Sequence, residues 1–145
     1  MELLCWFWGN QNNLIKGQIY DDVSFALHDW KTKSGIKIYT FSSGLSAAQQ
    51  LMLSKTNHGN VHCMIDQFFD SSIGDKTDSQ SYGSIASKIG VEGKQILFIT
   101  DNDKEVNAAV GAGFKAALIK RPGGKPASNV PKDVPSITSF AQIKF

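Results

Sequence analysis

Short runs of β-branched and aromatic residues alternate along this chain with stretches whose apolar residues recur at helical spacing. That alternation limits the fold more than any other feature. Ile36–Phe41, Gln95–Thr100 and Lys115–Ile119 have strand character. Gln95–Thr100 is apolar almost throughout its centre, the pattern of a strand covered on both faces. Four stretches have helical periodicity. Val23, Ala26, Leu27 and Trp30 form one face, with Gly35 as the stop. From about Ser46 to Ser54, Ala48, Leu51 and Met52 share a face. Tyr82, Ile85, Ala86 and Ile89 follow, stopped by Gly90. Val106, Ala109, Val110 and Gly113 make the fourth, opened by the N-cap cluster Asp101-Asn102-Asp103. Helix alternating with strand implies right-handed crossovers and a parallel α/β sheet. Pro122, Pro126, Pro131 and Pro135 break the pattern near the end, where Ile137–Phe140 is expected to form a last edge strand.

Composition narrows the partners. The chain has 145 residues, the size of one ordinary domain, and a net charge of +2 with no basic run longer than Lys120-Arg121. Nucleic acid is therefore not an expected partner. No apolar run approaches the roughly 20 residues needed to cross a bilayer, so no membrane partner is expected. Met1–Trp8 is apolar but has neither a basic n-region nor a small-residue cleavage site. Cys5 and Cys63 fit no disulfide framework and no CxxC site, which favours a reducing compartment. The expected location is the cytoplasm, with the nucleus also open to the chain.

Three polar elements stand just past the ends of expected strands, where parallel α/β sheets bind their ligands. Ser42 and Ser43 with Gly44 offer hydroxyls and amides at a helix N-terminus, an arrangement suited to an anion; they also suit a plain N-cap. Lys76 follows Phe68-Phe69 in the turn Ser72-Ile73-Gly74-Asp75, and a positioned lysine is a point-charge binder of phosphate, although most lysines are solvated surface charges. Asp101 follows Ile96–Thr100 and is placed either to give Mg²⁺ a carboxylate or to cap the next helix. Asp103 and Glu105 fit the dipole of that helix. His28, His58 and His62 share no metal-ligand spacing, and Trp6, Trp8 and Trp30 suit packing better than stacking.

In order, these motifs resemble the enolase-phosphatase (acireductone synthase) family of the haloacid dehalogenase superfamily, over nearly all of Gly17 to Pro122. The matching stretches include Lys16–Val23, Ile38–Gly44, Ala48-Gln49-Gln50-Leu51, Phe69–Lys76, Ser81-Tyr82, Ile96–Asn102 with Ala108-Ala109, and Ile119–Gly123. The resemblance implies a haloacid-dehalogenase-like (Rossmann-like) parallel sheet with flanking helices. It also implies a Mg²⁺-dependent enzyme of methionine salvage that enolises and dephosphorylates 2,3-diketo-5-methylthiopentyl-1-phosphate to acireductone. Ser42, Ser43 and Lys76 would hold the phosphorylated substrate and Asp101 the Mg²⁺, roles coherent with phosphoryl transfer by positioning and charge neutralisation.

The departures from that family are as informative. Its core opens with a strand ending in an aspartate nucleophile, followed two residues later by an acidic group, and then by a helical cap. Here only Glu2, Asp21 and Asp22 are acidic before Asp29, and Gly9-Asn10 follows the apolar Leu3–Trp8. The nucleophile strand and most of the cap are expected to be missing, with no catalytic residue assigned. Residues 1–16 read as a lead-in replacing the end of the cap, and residues 17–145 as a partial core domain. Leu45 also stands where the family usually has a small polar residue. A sheet without its central strand exposes hydrophobic edges, so a homodimer or strand exchange through Leu3–Trp8 is expected. Three readings remain: part of an enolase-phosphatase inactive alone, a non-catalytic phosphate- or Mg²⁺-binding or regulatory derivative, and an unrelated flavodoxin-like or receiver-like domain.

Overall fold

The computed structural model describes residues 16–124, 126 and 129–145. Leu3–Trp8, and with it the expected lead-in, lies outside the described residues. The chain divides into two compact units, one running to Asp70 and including Ile143–Phe145, the other Ser71–Gln142.

The first unit contains α1 (Asp21–Thr32), β1 (Tyr39–Phe41), α2 (Ser46–Ser54) and β2 (Gln67–Phe69). Acidic Asp21 and Asp22 open α1 and Lys31 lies in its last turn, each favourable to the helix dipole. Its inner face buries Leu27 with Ile38 and Val61, flanked by Ile19, Val23, Trp30, Met64 and Ile65. β1 and β2 pair in parallel, with Thr40 opposite Phe68 and Phe41 opposite Phe69. Just before β1, the Asp66 carboxylate accepts the Ile38 amide at 2.8 Å and pairs with Lys31 at 2.5 Å. Burial pushes that carboxyl up, but the bonds from Lys31, Ile38 and Lys37 outweigh it and hold it below its ordinary range.

The second unit contains α3 (Ser79–Ile89), β3 (Leu97–Thr100), α4 (Asp103–Gly111), β4 (Lys115–Ile119) and β5 (Ser136–Ile137). Its strand order is β3-β4-β5, and both pairings are parallel. Asp78 caps α3 by accepting the Gln80 amide, and Gly90 ends it in the left-handed conformation at φ 79°. Tyr82 on α3 is fully buried, edge-on to Phe98 and Phe114. Val106 packs on Ala116 and Leu118. No described helix is long and apolar enough to cross a membrane.

The alternation and the parallel pairing are as the sequence implies, but the details shift. Ile36–Phe41 shortens to Tyr39–Phe41, because the Ile38 backbone N–H is given to Asp66. Gln95 ends a 3₁₀ turn, so its strand starts at Leu97. Leu97, Phe98 and Ile99 are half-buried rather than covered on both faces. Among the described residues β1 pairs with β2, and β3 with β4. The last strand forms at Ser136–Ile137, and Phe140 enters a 3₁₀ turn. On α2 the buried residues are Gln49 and Leu53, while Met52 is exposed.

Candidate functional site

The first unit presents Ser42 and Ser43 where β1 turns into α2. The Ser42 amide donates to the Phe69 carbonyl at 3.1 Å, and its hydroxyl accepts the Gly44 amide at 3.1 Å. Neither serine caps α2. The N-cap position is Leu45, which has no acceptor side chain, and Asp70 at the end of β2 accepts the Ser46 amide instead, at 2.9 Å. Beneath the loop sits Gln49, 7% exposed. Its Oε1 accepts the Thr40 hydroxyl at 2.7 Å, and its Nε2 donates to Gly44 O at 2.9 Å and Phe69 O at 3.0 Å. Ser43 faces solvent, and among the described residues neither its hydroxyl nor its amide has a partner. The loop is thus held from below and open above.

In the second unit, the turn carrying Lys76 begins at Gly74, whose φ is 135°. A Cβ there would lie 2.2 Å from the Ser81 hydroxyl, so only glycine fits. Asp75 accepts both the hydroxyl and the amide of Thr77, at 2.6 and 2.7 Å, and these bonds, the hydroxyl first, hold its carboxyl below the ordinary range. The buried Tyr82 hydroxyl donates to the Lys76 carbonyl at 2.6 Å. Burial, and then the charges of Glu105 and Asp75, push the phenol up, so it stays a donor.

The Lys76 ammonium meets Glu105 Oε1 at 3.0 Å. Glu105 is buried, accepts the Thr100 hydroxyl at 2.7 Å and receives the Asn102 amide at 3.4 Å. Thr100 in turn accepts the Asn102 backbone N–H at 3.2 Å. Lys76 is therefore fastened to the end of β3. The helix-dipole role expected of Glu105 is incomplete: it lies in the first turn of α4, but its carboxylate is committed to Lys76 and Thr100.

Asp101 follows Thr100, is exposed and has no partner among the described residues. The capping alternative fails for it, because Asn102 and Asp103 both accept the Lys104 amide, at 3.0 and 2.9 Å. Among the described residues no three His, Cys, Asp or Glu side chains gather. Asp101 thus fits the one-carboxylate share of a Mg²⁺ whose other ligands are water, phosphate or groups elsewhere. His58 pairs with Asp21 at 2.7 Å, and His62 stacks on Phe68. Sequence reasoning gives Gln49 and Asp70 no role and Glu105 only that of a helix-dipole residue. Their signal was only position, one helical turn past the serine loop, just past β2, and one turn past Asp101.

No protein-family model matches the chain. Among curated relatives, enolase-phosphatase E1 of a Sulfurihydrogenibium species is 40% identical over 119 residues, 82% of this chain and 51% of that protein. Enolase-phosphatase E1 of Danio rerio is 39% identical over 132 residues, 90% of this chain and 50% of its own length. The chain is a partial relative of the enolase-phosphatases. It spans about half the length of those two, and 26% of a probable bifunctional methylthioribulose-1-phosphate dehydratase/enolase-phosphatase E1 of Populus trichocarpa, to which it is 41% identical. Its structure is similar to the UTR4 protein of Saccharomyces cerevisiae, with a TM-score of 0.85 at 28% identity, covering 98% of this chain and 64% of that one. An L-2-haloacid dehalogenase, 19% identical, matches at a TM-score of 0.68 over 86% of this chain and 54% of its own. The fold of this enolase-phosphatase relative is haloacid-dehalogenase-like.

Proposed function

We propose that this chain is the phosphate-handling part of an enolase-phosphatase core of methionine salvage, acting in the cytoplasm on 2,3-diketo-5-methylthiopentyl-1-phosphate. Ser42 and Ser43 hold the phosphorylated end of the substrate, Lys76 neutralises phosphate charge, and Asp101 supplies one Mg²⁺ ligand. Bound Mg²⁺ would supply charge neutralisation and a template for the phosphate oxygens. The observation that supports this reading most is the anchoring of Lys76 through Glu105 and Thr100 to the strand end that bears the open Asp101. Rigid placement of charge is what phosphoryl transfer asks of a protein. Residues 17–145 act as a partial core, and a homodimer or an exchanged strand would supply the family's missing central strand.

By itself the chain is proposed to be inactive, because no aspartate nucleophile of the family pattern precedes Asp29 and no covalent phosphoryl-enzyme can form by that route. Incubation with the diketo-phosphate and Mg²⁺ should release no phosphate above the blank. Release abolished by Asp101→Asn would contradict inactivity. The second reading, a non-catalytic phosphate- or Mg²⁺-binding module, is supported by the exposed Ser43 and Asp101 in a sequence without the family's nucleophile pattern before Asp29. It shares the binding roles and differs in needing no further strand for its function.

A further inference from the structure

We propose that Gln49 is a positioning residue that sets the Ser42–Gly44 loop in the shape that receives a tetrahedral oxyanion; this rests on the phosphate role of that loop given above. Gln49 is buried, and its side-chain amide reaches one hydroxyl and two backbone carbonyls on three separate pieces of chain. It takes the Thr40 hydroxyl from within β1, holds the Gly44 carbonyl of the loop, and holds the Phe69 carbonyl at the end of β2. The Phe69 carbonyl is also the acceptor of the Ser42 amide, so one oxygen ties both the loop and its support to β2. These partners fix the orientation of the side-chain amide. Two carbonyls require its nitrogen and a hydroxyl suits its oxygen, and the flipped amide would set oxygen against two carbonyls. The result is that every carbonyl held by Gln49 is drawn inward, while the amides of Ser43 and Leu45 and the Ser43 hydroxyl keep no partner among the described residues. Two open N–H groups and an open hydroxyl on one short loop give an anion the donors it needs.

A carboxylate of the same shape reverses this. Gln49→Glu removes both donors and presses negative charge against two carbonyls in a buried position, which raises the pKa of the introduced carboxyl. As pH falls through that raised value the group becomes neutral and regains one O–H donor, so the defect lessens on acidification. The test is a titration of the full chain with inorganic phosphate, followed by backbone amide NMR at Ser43, Gly44 and Leu45, with thermal stability measured separately. The wild type should show saturable shifts at these amides. Gln49→Glu should bind at least about tenfold more weakly at pH 8, with the ratio to wild type narrowing at pH 5.5. Gln49→Met, which lacks the repulsion, should also weaken binding and show no such pH dependence; it decides the matter if the Glu variant does not fold. Folded variants that bind with wild-type affinity, however much their melting temperature drops, would overturn the positioning role alone. A wild type without loop shifts would overturn the phosphate reading and this inference with it.

Discussion

The two loops that carry the candidate residues are fastened by different chemistry. The serine loop of the first unit is held by a neutral amide, Gln49, whose three hydrogen bonds all remain within reach of one side chain. The Lys76 loop of the second unit is held at its backbone by a buried phenol and at its tip by a buried carboxylate. A neutral clamp fixes shape without setting a field. A charged clamp fixes position but also neutralises the cation it holds, so an incoming phosphate must compete with Glu105 for Lys76. Beside each clamp stands a polar side chain with no partner among the described residues, Ser43 in the first unit and Asp101 in the second.

The largest effect on either loop is expected at Gly74. Gly74→Ala should cost about 2–4 kcal/mol, because a Cβ has no room beside Ser81 and the φ is strained for any other residue. Chemical denaturation checks this, and a cost below 1 kcal/mol would mean that the turn relaxes freely. Glu105→Gln should cost about 1–3 kcal/mol, since Lys76 loses its counter-charge while Thr100 keeps an acceptor. It should also release Lys76, seen as a changed side-chain ammonium signal in NMR. Tyr82→Phe keeps the aromatic packing and removes the bond to the Lys76 carbonyl, so about 1 kcal/mol is expected, with faster amide exchange at residues 74–78.

Much of this was legible in the sequence, and the failures have a common cause. The periodicities of α1, α3 and α4 and the parallel pairing follow from apolar spacing, which burial enforces directly. The buried face of α2 was misread because Gln49 is polar; it is buried because all its hydrogen bonds are satisfied, and no periodicity rule sees that. Glu105 was assigned to the helix dipole because its partner Lys76 lies 29 positions away in sequence, beyond any local pattern. Asp101 was ambiguous between ligand and cap, and only the geometry of Asn102 and Asp103 takes the cap away from it.

Charge is not confined to the second unit, and pH sharpens the comparison. Asp66, which holds the start of β1, has its carboxyl lowered in the folded state. Its contribution is therefore present above the unfolded value near 4 and is lost as pH falls through the lower, folded value. Urea melts between pH 5 and pH 2 should show a loss that Asp66→Asn largely removes; an unchanged pH dependence in that variant would place the effect on other carboxylates. Smallest of all is the stability effect of Asp101→Asn, expected within about 0.5 kcal/mol because the side chain is exposed and holds nothing.

The same residue is proposed to give the chain a phosphate-dependent, one-carboxylate foothold for a divalent cation. Mg²⁺ titrated calorimetrically into the chain without phosphate should bind weakly, on the order of millimolar, because the ion dehydrates reluctantly and finds a single strong ligand. Added inorganic phosphate should tighten that binding, and Asp101→Asn should abolish the gain. Tight binding without phosphate, or a gain that survives the substitution, would contradict the account.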